Sequence, residues 1–317
     1  MLTIITVVLA IAVILQLHDF LEGEHFLADC IDEWRLRRMN LAELDGIWQR
    51  SESRSNVIVT LTSTPSRLPF LDLTLKSLLR QSSLPKRIVI NIPYFSKRED
   101  CVYTLPEWLL CLHSVEIHRC DDLGPATKLL PSLVRFDKRQ QLIVVDDDRI
   151  YHKTLIHNFV RAALKEPDCA LGMSGWIVPA DLLDRPTTIS SNILMRSPAP
   201  IRATRLTSSR EVDVLQGMSG YLVEPWFFDR SSIVNYGDAP SAARFVDDVW
   251  ISGHCQVPRH VIAARHTNYP SKLCRSFYKL NSLGLLNRGP GGNELRNNTI
   301  VMRHLSRMWR TSRGRTS

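Results

Sequence analysis

The chain has 317 residues, 44% of them hydrophobic and 23% charged, with a formal net charge of +8. This excludes a disordered or collagen-like chain and gives enough length for one large α/β domain or two small ones. A basic balance suits anionic partners such as nucleotide-sugars, nucleic acid or an anionic membrane surface.

The first element is apolar from Leu2 to Leu17 except for Thr3, Thr6 and Gln16. That run is slightly short of the ~20 residues of an untilted membrane span. Residues 1–21 therefore read as a signal anchor or a signal-peptide core. No basic residue precedes the run and no small-x-small site follows it, which favours an uncleaved anchor. The following Arg35, Arg37 and Arg38 would keep the remainder cytosolic by the positive-inside rule. The function inferred below argues for the opposite side, the Golgi or ER lumen in a eukaryote, so orientation stays open.

Residues 22–55 read as a stem, with Trp34, Leu36, Met39, Leu41, Leu44 and Trp48 spaced as an amphipathic helix. From Asn56 onward strand and helix patterns alternate. Strands are expected at 57–62, 87–92, 115–118 and 141–145, and helices at 68–79, 126–134 and 154–164. That alternation predicts a Rossmann-like, mostly parallel sheet flanked by helices. A further strand is expected at 170–174, a long loop at 179–211, a helix at 243–255 opening on Asp247-Asp248, and an edge strand at 261–264. The domain divides as 56–290, with a C-terminal helix and basic tail over 291–317. After Glu294 that tail carries Arg296, Arg303, Arg307, Arg310, Arg313 and Arg315 and no acid.

The cysteines Cys30, Cys101, Cys111, Cys120, Cys169, Cys255 and Cys274 contain no CxxC pair, so zinc-ribbon and thioredoxin readings have no motif. In an oxidising compartment Cys101, Cys111 and Cys120 could bridge locally. Asn297-Asn298-Thr299 is a glycosylation sequon, usable only on the lumenal side.

Asp146-Asp147-Asp148 directly follows the apolar run Leu142–Val145. A buried strand cannot carry such charges inward unpaired, so they belong at its C-terminal edge, where open α/β sheets bind ligands. Carboxylates are hard oxygen ligands suited to Mg²⁺ or Mn²⁺. On an extended chain Asp146 and Asp148 point to one side and could share an ion. The alternative pair, Asp147 and Asp148, needs a turn there.

In order, "VIVTLTSTPSRLPFLDLTLKSLLRQSSLP" (Val57–Pro85), "LIVVDDDRIY" (Leu142–Tyr151) and "FVDDVWISGH" (Phe245–His254) resemble the first strand and helix, the DxD strand and the ED-type helix start of GT-A fold, family 2-like glycosyltransferases. The similarity covers roughly residues 56–270. It implies a nucleotide-sugar donor, with a UDP-sugar favoured, a divalent Mn²⁺ or Mg²⁺ on the diphosphate, and a glycan, protein or lipid hydroxyl as acceptor. No nucleic acid is expected.

By the resemblance, Asp146 and Asp148 are the metal ligands, Asp147 touches ribose or sugar, and Asp248 of the Asp247-Asp248 pair is the catalytic base. Asp247 replaces the family's usual Glu. Both acids also suit a helix start, where the dipole stabilises negative charge. Thr62, Ser63 and Arg67 fall where the nucleoside binds. The "GPATK" turn, Gly124–Lys128, offers backbone N–H groups and Lys128 to a phosphate. The glycines of Leu215–Gly220 fit an acceptor-side or donor-sugar wall, or else a bulge. Trp250 offers a face for a sugar, or fills the core. His266 is the best placed of the histidines to be a third metal ligand. Inverting and retaining transfer both remain open, as do a metal-dependent nuclease or phosphoryl transferase and a non-catalytic sugar-binding module on a transferase scaffold.

Overall fold

The computed structural model describes residues 1–273, 287–289 and 291–313. Cys274, Pro290 and Arg315 lie outside the described residues. The centre of the chain is an eight-stranded sheet. In chain order its strands are β1 (Ile58–Thr62), β2 (Arg87–Pro93), β3 (Val115–Cys120), β4 (Leu142–Val144), β5 (Ala170–Gly172), β6 (Arg210–Glu211), β7 (Tyr221–Val223) and β8 (Arg259–Val261). Across the sheet they run β6-β8-β5-β7-β4-β1-β2-β3.

β3, β2, β1 and β4 are parallel neighbours, with Thr60 opposite both Val89 and Val144. This is the mostly parallel, helix-flanked sheet that the GT-A resemblance implies. β4 is a continuous apolar run, and β1 is buried as well, with its Thr60 hydroxyl donating to the Lys128 carbonyl at 2.7 Å. α4 (Asp72–Leu79) packs its leucines on the sheet, and α5 (Leu155–Lys165) buries Leu155, Ile156, Phe159 and Ala163 at helical spacing.

β7 is the departure from a purely parallel sheet. It runs antiparallel between β4 and β5, with Tyr221 opposite Val144 and Gly172. The expected 170–174 strand is cut at Met173. Ala170–Gly172 stays in the large sheet, while Ser174–Trp176 joins a three-stranded sheet with Ile201–Arg202 and Val214–Leu215. The expected loop at 179–211 thus contributes strands to both sheets and a short helix, Ile189–Leu194. The expected edge strand, β8, is not the edge, because β6 pairs outside it.

Within residues 22–55 the amphipathic spacing is realised as helix. These residues form α2 (Phe26–Arg38) and α3 (Leu41–Arg50), both docked on the domain. Trp48 enters the main core and its Nε1 donates to the Pro85 carbonyl at 2.8 Å. Glu33 is fully buried and accepts from Ser271 Oγ at 2.5 Å and Lys272 N–H at 2.6 Å. Asp45 accepts from the backbone N–H groups of His113 and Ser114. Three such anchors hold this stretch against the domain.

α1 (Leu2–Glu22) is one continuous helix, ended by Gly23 in a left-handed conformation. It is long and apolar enough to cross a membrane, and its apolar window is not buried against the rest of the chain. Cys101, Cys111, Cys120, Cys169 and Cys255 are free thiols. The final helix is two, α7 (Asn297–His304) and α8 (Ser306–Arg313), and Glu294 belongs to a short turn before them. The Asn297 side chain donates to Asn287 at 3.1 Å.

Candidate active site

β4 ends at Val144, and the three acids follow at the sheet's C-terminal edge, as expected. The chain then turns at Asp147-Asp148 and does not continue extended. Thr74 Oγ1, from α4, donates to the carbonyls of both Asp147 (2.8 Å) and Arg149 (2.9 Å). The buried Tyr151 hydroxyl accepts from Asp146 N–H at 2.8 Å. These anchors fix the turn and separate the acids.

Asp146 faces Lys128, whose Nζ lies 2.7 Å from its Oδ1. Asp147 accepts from Ser63 Oγ at 2.5 Å. Asp147 and Asp148 converge on one nitrogen, Arg67 Nη2, at 3.1 and 2.5 Å. The pairing of Asp146 with Asp148 is therefore replaced by Asp147 with Asp148, because the i, i+2 rule holds only while the chain stays extended.

The second acid pair opens α6 (Asp247–His254), as the sequence implied. Ser252 Oγ accepts from Leu215 N–H, and Arg259 Nη1 donates to the carbonyls of Ser252 and Cys255, so the helix is held at its C-terminal end. Its acids meet the DxD turn through Lys128. Nζ lies 2.8 Å from Asp247 Oδ2 and 4.0 Å from Asp248 Oδ1. Asp248 Oδ1 also accepts the Gly217 N–H at 3.0 Å.

Two glycines make this approach possible. A Cβ on Gly217 would lie 2.3 Å from Lys128 Nζ. Gly124, at φ 66°, opens the GPATK turn where a Cβ would lie 2.3 Å from the Arg244 carbonyl oxygen, just before α6.

Electrostatics follow from this packing. Burial disfavours the charge on Lys128, but Asp146, then Asp247 and Asp248, outweigh it and raise its pKa well above the usual value. Burial likewise opposes ionisation of Asp146, yet Lys128 holds its pKa below the ordinary range. Asp147 is pushed up to about 6 by burial, against the pull of Arg67. Asp248 is raised to about 8 by burial and by the neighbouring Asp247, with Lys128 pulling the other way. Asp248 thus carries a proton more readily than Asp146 or Asp147 across the cleft.

All of these groups line one cleft of about 520 Å³. Thr62 is on its wall, but its hydroxyl is spent on the Asn91 carbonyl at 2.7 Å. Sequence reasoning missed Arg98 and Tyr103, which come from the β2–β3 connection, and Arg244 before α6. Tyr103 OH donates to the Ser63 carbonyl at 3.1 Å, which sets Ser63 against Asp147. No local pattern marks that connection, because only the tertiary fold lays it over the sheet edge.

The expected third ligand, His266, stands elsewhere, and Trp250 takes the core place that was one of its two readings. His266 does not line the cleft. It stacks on His152 with ring centroids 4.4 Å apart and meets His25 at 4.6 Å, against the start of α2. Trp250 is core: it is 2% exposed, stacks on Tyr236, and donates from Nε1 to the Ile233 carbonyl.

The donor set suits a hard divalent cation. Two carboxylate oxygens, from Asp147 and Asp148, converge on one point, now held by a guanidinium, and oxygen-only ligation is what Mg²⁺ and Mn²⁺ take. Asp146 is committed to Lys128 and would join only by leaving it.

No family model and no curated protein matches the chain. Solved structures do align with it in part. The chain is similar to S. aureus TarS 1–349, at 14% identity over 82% of this chain and 72% of that one, with a TM-score of 0.45. It is also similar to GalNAc-T7 with UDP, GalNAc and Mn²⁺ (12% identity, 80% of this chain and 49% of that one, TM-score 0.43). A third match is 4-diphosphocytidyl-2C-methyl-D-erythritol synthase, at 12% identity over 72% of this chain and 98% of that one, with a TM-score of 0.41. At this level the overlap is partial and assigns no chemistry, and what the cleft can do is read from its own side chains. It can hold an anion at Lys128 and Arg67, and it can take up a proton at Asp248.

Proposed function

We propose that the chain is a membrane-anchored glycosyltransferase that moves a sugar from a nucleoside-diphosphate sugar to a hydroxyl acceptor. The observation that carries this reading is Lys128 Nζ, which joins the first acid motif to the second inside one cleft, at 2.7 Å from Asp146 and 2.8 Å from Asp247. A cation at the strand edge suits the charge that develops on a leaving diphosphate, and the acid pair beside it offers a base for the acceptor hydroxyl.

The donor diphosphate lies along Lys128 and Arg67. Arg67 gives planar, forked donors to phosphate oxygens, and Lys128 acts as a point charge. Arg67 exchanges its carboxylate partners for phosphate on donor binding. Asp147 and Asp148 would hold a divalent ion, which would supply positive charge to the departing diphosphate. Asp248 accepts the acceptor hydroxyl's proton as that oxygen attacks the anomeric carbon and the bond to the diphosphate oxygen breaks. The Gly217 N–H holds the Asp248 carboxylate in place for that transfer. In a retaining reaction Asp248 positions the acceptor instead. α1 serves as the anchor.

A metal-dependent nuclease is disfavoured by the charge layout. The cleft wall carries six Asp side chains against five Lys and Arg, so it is not a basic groove for a polyanion backbone. Thermal-shift measurements with UDP-, GDP- and CMP-sugars, with and without Mn²⁺, test the reading. One donor class should raise the melting temperature, because only the native state binds it. No shift with any of them removes the proposal.

A further inference from the structure

A second cavity of about 640 Å³ adjoins the donor cleft. The two share Trp176, Gln216 and Asn298 as walls. Gln216 immediately precedes Gly217, whose N–H holds the carboxylate read as the base, so one wall of the second cavity is continuous in chain with the residue that positions Asp248. Its size is within the usual range for a small-ligand site. Pro179, Pro186, Pro198 and Pro200 stiffen the far wall.

The charge of this cavity is one-sided. Three guanidinium groups line it, from Arg185, Arg288 and Arg296, against the single carboxylate of Asp184. Asp184 is committed: it accepts from Arg296 Nε at 2.7 Å and from Asn298 Nδ2 at 3.2 Å. Arg185 is paired with Asp181, which stands outside the cavity wall. Arg288 is exposed and has no carboxylate within ion-pair distance among the described residues. Trp176, half-buried at the junction, offers an aromatic face between the two chambers.

We infer that this cavity is the acceptor subsite and that the acceptor is an anionic glycan. It would carry a carboxylate or a phosphate or sulfate ester beside the sugar that offers the hydroxyl. The ring of that sugar rests on Trp176, and the anionic group meets Arg288, with Arg185 and Arg296 behind it. A guanidinium fork binds planar carboxylates and tetrahedral phosphates with two parallel hydrogen bonds. This assignment rests on the transferase reading for the word acceptor, though not for the anion preference.

Ligand-observed NMR on the full chain tests it, with glucuronic acid, glucose 6-phosphate and glucose as probes and UDP titrated separately. Both anionic sugars, or one of them, should bind at least tenfold tighter than glucose, and which one binds identifies the group. Arg288→Ala should remove that preference while leaving UDP affinity and the melting temperature unchanged, and Arg288→Lys should restore part of it. Equal binding of glucose and the anionic sugars, no binding of any of them, or an unchanged preference in Arg288→Ala overturns the assignment. Loss of UDP binding with the anion preference intact would instead remove the transferase reading and leave the anion site standing.

Discussion

Lys128 and Asp247 lie 2.8 Å apart, although 119 positions separate them in sequence (247 − 128). The ion pair is buried, with Lys128 5% and Asp247 7% exposed. Removing one partner of a buried pair leaves the other charge uncompensated, at a cost of about 3–5 kcal/mol. Lys128→Met should therefore lower the unfolding free energy by that order and weaken donor binding as well. Urea unfolding and calorimetry measure the two effects. A variant as stable as the parent would mean that the pair does not form.

Gly217→Ala separates packing from chemistry. Its Cβ would stand 2.3 Å from Lys128 Nζ and 3.2 Å from Asp248 Oδ1, at the tip of one side chain and beside the proposed base. Lys128 can retreat only by giving up Asp146 or Asp247. We expect kcat to fall by at least about tenfold, the effect of a small misplacement at a reacting centre, with a smaller loss of stability. Steady-state kinetics beside a melting curve resolve the two.

The pH profile follows from Asp248. Its carboxyl, raised to about 8, is mostly protonated at neutral pH. A base must be ionised to act, so kcat/KM should rise with pH from about 6, bend near 8 and level off above it. A profile already flat from pH 6 upward would exclude Asp248 as the ionisation that controls the free enzyme.

Acid stability depends on the histidine cluster behind α2. His152 is lowered to about 4, by burial first and by His266 second, with Asp32 opposing and Arg80 and Lys153 adding to the effect. The unfolded chain binds a proton on this residue near pH 6.5, whereas the folded chain does so only near 4. Stability from this group is complete above about pH 6.5 and is lost progressively as pH falls toward 4. The melting temperature should drop across that window, and less steeply in His152→Gln.

Much of the fold was legible because local pattern and tertiary role agreed. The mostly apolar Val57–Thr62 and Leu142–Val145 runs became adjacent parallel strands. β7 was not legible. Its three residues, Tyr221 to Val223, follow the glycines Gly217 and Gly220, and nothing local tells a central antiparallel strand from the end of a loop. The acids at positions 146–148 and 247–248 were found as types, and both reached one cleft. Which acids pair was not readable, because the turn that joins Asp147 to Asp148 is made by Thr74 from another helix. His266 was placed by order along the chain alone, and in the fold it packs with His25 and His152 outside the cleft wall.

The most direct test is Asp248→Asn, measured for donor binding by calorimetry and for sugar transfer in parallel. The amide keeps the shape of the side chain and cannot accept the proton. The account predicts donor affinity near that of the parent, with transfer reduced by about 10²–10⁴-fold. Transfer at close to the parent rate would contradict it.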